Sequence, residues 1–159
     1  MATPNRDEYV ELQHGVNVLL LGSRAISCRD WSDLERTGPA RGSNLTVAGS
    51  DGNLLRDHRR GELVVELRDI QVNGSWDEDN VRVYADRRAN ARTLLRNIRG
   101  FIDDAPARKV TVRLTDEDSQ YEADAVIVEM GRIDWLSATI AEFSLLLTVP
   151  DGRLAEVTS

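Results

Sequence analysis

The chain has 159 residues, 41% of them apolar and only 5% aromatic, and a formal net charge of -7. That length fits one domain with a single core. The acidic balance argues against ordinary nucleic-acid binding, which needs a basic footprint, and the longest early apolar run, 16–21, is too short to cross a bilayer.

The charge is unevenly spread. Residues 1–100 hold 15 basic and 15 acidic side chains, whereas 101–159 hold 5 and 12. All basic residues but Lys109 are arginine. A GC-rich genome accounts for that bias, and guanidinium also favours bidentate pairing with carboxylates. Cys28 stands alone, so no internal disulfide is expected, and it reads as a small buried apolar residue. Residues 1–11 lack an apolar stretch, so no secretory signal is expected.

In chain order, 9–12 and 16–21 read as strands around the turn pair His14-Gly15, and 24–29 continues the sheet. Residues 30–61 form a long loop rich in Arg, Asp, Gly and Ser, with one short β segment at 44–48. Loops of this length are often functional. In 62–72, Leu63, Val65 and Leu67 share one face, but Ile70 and Val72 fall out of phase with them. That slip predicts a β-bulge near Asp69. Asn73-Gly74 is a turn pair.

The spacing of Tyr84, Ala91, Leu94, Leu95, Ile98 and Ile102 predicts a helix over 79–102. Asp77, Glu78 and Asp79 suit its N-terminal dipole. Arg87, Arg88, Arg92, Arg96 and Arg99 occupy the other face, read as solvated or as meeting the acidic strands of a neighbour. Asp103-Asp104-Ala105-Pro106 ends the helix. The last third alternates with period 2: strands at 108–115 and 120–130 around a 116–119 turn, then 137–149, where Thr139, Ala141, Phe143, Leu145, Leu147 and Val149 share a face. Pro150-Asp151-Gly152 closes it, and 153–159 reads as a polar tail.

Chemistry is scarce. His14 and His58 have no partners at metal-ligand spacing, and zinc takes about four ligands. Asp116, Glu117 and Asp118 fit a hairpin turn. Residues 77–79 lack the glycine and terminal glutamate of a calcium loop. Gly49-Ser50-Asp51-Gly52 has no following Lys-Ser or Lys-Thr for phosphates, and no serine sits in a nucleophile elbow. No enzyme activity, metal or cofactor is expected.

The order of elements is more specific. An N-terminal strand pair leads to a loop holding Gly49-Ser50-Asp51-Gly52-Asn53-Leu54-Leu55. A strong strand, one helix, a β hairpin and a final strand ending at Pro150 follow. Over about residues 9–152 this resembles the tail-tube fold of long-tailed bacteriophages, shared by major tail proteins and the N-terminal domain of distal tail proteins. The resemblance implies a mainly β (α+β) fold, an antiparallel split barrel or sandwich with one packed helix. It implies a virion structural protein of the tail, made in the host bacterial cytoplasm. It also implies six-membered rings stacked around a DNA channel.

The partners implied are other copies, the tape measure, terminator and tip proteins, and DNA passing without specific binding; no membrane is involved. Arg36, Arg41, Asp51, Leu54, Leu55, Arg56 and Arg59 of the long loop would touch the next ring. Asp116, Glu117, Asp118, Glu122, Asp124, Glu129 and Glu142 are the candidate channel acids. Leu94, Leu95, Ile98 and Ile102 would pack the helix on the sheet. The major tail tube subunit is the leading expectation and a distal adaptor ring the alternative. A monomeric β-barrel binding module or enzyme would need a convergent polar pocket, which the sequence does not show. A contractile injection tube would share the fold.

Overall fold

Alternation of apolar and polar residues builds nearly all of this molecule. The structure, a computed structural model, describes residues 2–38 and 61–157. Its strands are β1 (Tyr9–His14), β2 (Asn17–Leu20), β3 (Ile26–Asp30), β4 (Leu63–Asn73), β5 (Lys109–Thr115), β6 (Gln120–Met130), β7 (Asp134–Trp135), β8 (Ile140–Val149) and β9 (Ala155–Glu156). One α-helix, α1 (Arg87–Asp104), lies between β4 and β5. The pairing is antiparallel throughout, in the order β2-β1-β5-β6-β8-β4-β3, with β7 on β8 and β9 on β6. The fold is therefore mainly β with one helix.

The sheet is open along most of its length, but its two ends meet. An isolated bridge joins Gly22 to Ser27, and the Cys28 N–H donates to the Leu21 carbonyl at 3.0 Å. Consecutive strands β2 and β3 thus occupy opposite ends of the pairing order. One face of the curved sheet carries the core: in β8, Ala141, Phe143, Leu145, Leu147 and Val149 are all buried, as the alternation predicts. From the helix, Ala91, Leu94, Leu95, Ile98 and Ile102 join the same cluster. Gly74 lets the helix approach the sheet end, because a Cβ there would collide with the Arg87 carbonyl.

The predicted bulge is present. Leu67 pairs with Leu145 and Ile70 with Phe143, so β4 carries one extra residue, and Asp69 takes a φ of 55°. The slip keeps Leu67 and Ile70 on the same buried face. A second bulge, missed in the sequence, lies between Ile127 and Glu129 of β6. It leaves Val128 45% exposed.

Three expectations need correction. The helix begins at Arg87, not Asp79. Asp77 Oδ1 accepts from the N–H groups of Asp79 (2.9 Å) and Val81 (2.8 Å), and Trp76 bridges to Arg82. This side-chain turn outcompetes the helix, so 77–79 do not serve its dipole, and Tyr84 is 84% exposed instead of buried on the stripe. The long loop starts as structure: Ser32–Glu35 form a 3-10 turn that buries Leu34. The polar tail includes β9, which resumes the path of β8 along β6 by pairing with Tyr121 and Glu122. The 44–48 segment and His58 lie outside the described residues.

Candidate functional site

The outer face of the sheet carries a cross-strand group of charged side chains. Glu11, Arg113 and Glu122 stand opposite one another on β1, β5 and β6. Arg113 Nη1 lies 2.9 Å from Glu11 Oε1, and Nη2 lies 3.0 Å from Glu122 Oε2. Gln13 Oε1 accepts a further bond at 3.3 Å. The hydrogen bond to Glu11 leads the interactions that hold the guanidinium charged, above its ordinary range. Further along the same face, Gln71 Nε2 donates to Glu142 Oε2 at 3.2 Å.

The structure divides the candidate channel acids. Glu122, Asp124 and Glu142 share the outer face, because their strand neighbours Ala123, Ala125 and Ala141 point into the core, and the β6 bulge puts Glu129 on that face too, opposite Leu146. Two of the four are already engaged, Glu122 by Arg113 and Glu142 by Gln71. Asp116, Glu117 and Asp118 lie instead at the β5–β6 hairpin tip. There Asp116 meets Glu8, a residue the sequence did not single out. The nearby Asp116 charge, first of all, pushes the exposed Glu8 carboxyl above the usual range, with Glu117 and Glu35 adding to it. The pairing of Tyr9 with Thr115 brings Glu8 there, a long-range register that local pattern does not reveal.

Of the candidate loop residues, Arg36 is described: its Nη1 lies 3.2 Å from Asp33 Oδ1. Arg41, Asp51, Leu54, Leu55, Arg56 and Arg59 lie outside the described residues. Asp33 is 8% exposed and also accepts from the Glu66 N–H at 3.0 Å and Arg68 Nη2 at 3.3 Å. Burial pushes its carboxyl up, but the Glu66 N–H, Arg36 and Arg68 together hold it below the usual range.

A groove of about 360 Å³ opens beside this cluster, walled by Trp31, Leu34, Tyr121 and Leu154, with Glu8 and Asp116 also lining it. Edge strand β2 pairs only with β1 along its length, and Val16 and Val18 are 94% and 47% exposed beside it. No group of three or more His, Cys, Asp or Glu side chains is placed to hold a metal ion among the described residues. His14 Nε2 lies 3.0 Å from the Phe101 carbonyl, which ties β1 to the helix end. No helix among the described residues is long and apolar enough to cross a membrane.

Comparison with solved structures gives the fold its setting. The chain is similar to chains in two structures of the phage P2 baseplate in its activated conformation, one with Ca and one with Sr. Each superposes with a TM-score of 0.58 at 10% identity, covering 89% of this chain and 44% of that chain. This chain therefore spans less than half the length of those it matches. It has the fold of a segment of a phage baseplate chain. No family model and no curated protein matches it.

Proposed function

We propose that the chain is a structural subunit of a phage tail, working without turnover as a ring of its own copies around a DNA channel. The observation that carries this reading is the fold likeness to phage baseplate chains over 89% of the chain. That likeness supports a ring at the tail tip, the distal adaptor position, over the tail tube subunit that the sequence alone favours. The virion tail is then its location, and neighbouring rings, the tape measure, terminator and tip proteins are its partners.

The surfaces suit such a role. The β2 edge offers unpaired backbone groups and exposed valines for a lateral contact, and pairing is the usual fate of a free edge. A lateral contact of that kind is heterologous and closes into a ring when its rotation permits. Asp124 and Glu129 on the outer face give a channel wall a sign that repels passing DNA.

Negative-stain electron microscopy of the purified chain at high concentration, with mass measured in parallel, tests the reading. Isolated rings with a central hole are expected. Long tubes would replace the tip assignment with the tube. A monomer at every concentration would defeat both.

A further inference from the structure

An acidic cluster at the hairpin tip and an arginine face on the helix both lack ion pairs among the described residues. Glu8, Glu35, Asp116, Glu117 and Asp118 are exposed together at the hairpin-tip end, and none has an ion pair among the described residues. Holding like charges together costs free energy that the fold does not recover. The helix shows the same pattern with the sign reversed. Arg87 and Arg88 occupy its first two positions, where the macrodipole disfavours cations, and no acidic residue lies in the first turn. Arg87, Arg92, Arg96 and Arg99 are exposed and make no ion pair or hydrogen bond among the described residues.

No ion pair joins these two clusters among the described residues. The helix starts beside Gly74 and Trp76, whose carbonyls accept from Asn90 Nδ2 at 3.0 and 3.1 Å. Its far end leads into β5, which then runs seven residues to the hairpin tip, about 20 Å at strand rise. The acidic end also has a seat. The groove is lined by the aromatic rings of Trp31 and Tyr121 together with the carboxylates of Glu8, Glu35 and Asp116. That combination suits a guanidinium, which stacks on aromatic faces and pairs with carboxylates. The groove's own arginines do not fill this need: Arg36 is held by Asp33, and Arg153 lines the groove without an ion pair to Glu8 or Asp116 among the described residues.

We propose that the arginine face of α1 in one copy docks on the acidic groove at Glu8, Asp116, Trp31 and Tyr121 of the next, a head-to-tail contact between copies. The inference deepens the ring reading and rests on it. A head-to-tail contact uses two different surfaces, which is what a ring or stack requires.

Sedimentation velocity over a concentration series tests it on the full chain. Three variants are compared with the natural protein: the helix pair Arg92→Glu with Arg96→Glu, the groove pair Glu8→Arg with Asp116→Arg, and all four together. All four positions are exposed, and circular dichroism with a melting curve checks that each variant folds. Each pair is expected to weaken self-association at least about tenfold, and the quadruple variant to recover most of it. Raising salt weakens the natural contact as screening grows. Unchanged association in either pair, or a quadruple variant no better than its parents, overturns the contact while leaving ring formation standing. A natural chain that is monomeric throughout overturns the ring reading, and this contact with it.

Discussion

Arg113 lies 2.9 Å from Glu11 across the β1–β5 pair, and Glu11's side chain is only 16% exposed. The same guanidinium reaches Glu122 on the other side. It therefore stands between carboxylates on the strands to either side of it. Arg113→Ala is expected to destabilise the fold by about 2 kcal/mol, because it leaves Glu11 largely desolvated and unpaired. Arg113→Lys recovers less than half, since an ammonium cannot serve both partners in a planar fork. Urea unfolding curves measure both; a loss under about 0.5 kcal/mol for the alanine variant would show that the triplet is solvent-screened.

Asp33 sets an acid limit. Its folded pKa is below the unfolded value, so its contribution is fully present above about pH 4, the unfolded carboxylate range. It is lost as pH falls through the folded pKa. Asp33→Asn is expected to cost about 1–3 kcal/mol at neutral pH. The gap to the natural protein narrows as both are acidified. Melting temperatures measured down the pH range test this, and a constant gap would contradict it.

Asp69 holds a positive φ at the β4 bulge. Asp69→Gly relieves that conformation and is expected to stabilise the protein by up to about 1 kcal/mol. Asp69→Val is expected to destabilise it by about 1–2 kcal/mol, because a β-branched side chain resists the left-handed region. Opposite signs in denaturant midpoints are the signature; equal effects would mean that the bulge relaxes.

Cys28 is 1% exposed, and burial pushes its thiol up to about 12. Its Sγ lies 3.3 Å from the Arg68 carbonyl. The thiol is expected to stay unreactive toward a disulfide reagent in native buffer and to react fully in denaturant. Rapid stoichiometric labelling of the native protein would refute this burial.

Much of the sheet was legible because its signals are local. Alternation placed β5, β6 and β8 to within a few residues, and a phase slip of two apolar side chains located the Asp69 bulge. The helix stripe from Ala91 to Ile102 was equally readable. Its start was not, because Asp77 satisfies backbone N–H groups in a way that composition does not distinguish from a helical first turn. β7 and β9 are two residues each, too short for a period. The meeting of Glu8 with Asp116, and the cross-strand triplet around Arg113, depend on which strands become neighbours. That information lies in the long-range register.

The corner between β2 and β3 bears on how the chain reaches this state. The first thirty residues supply both ends of the pairing order, and every strand between them except β1 comes from later in the chain. A nascent chain that has not yet made β5 leaves β1 with only β2 beside it, and one that lacks β8 leaves β4 with only β3. Two separate ribbons must wait for the C-terminal strands to join them. Such non-local pairing is slow to form, so the search for the native state begins in earnest only once β8 has been made.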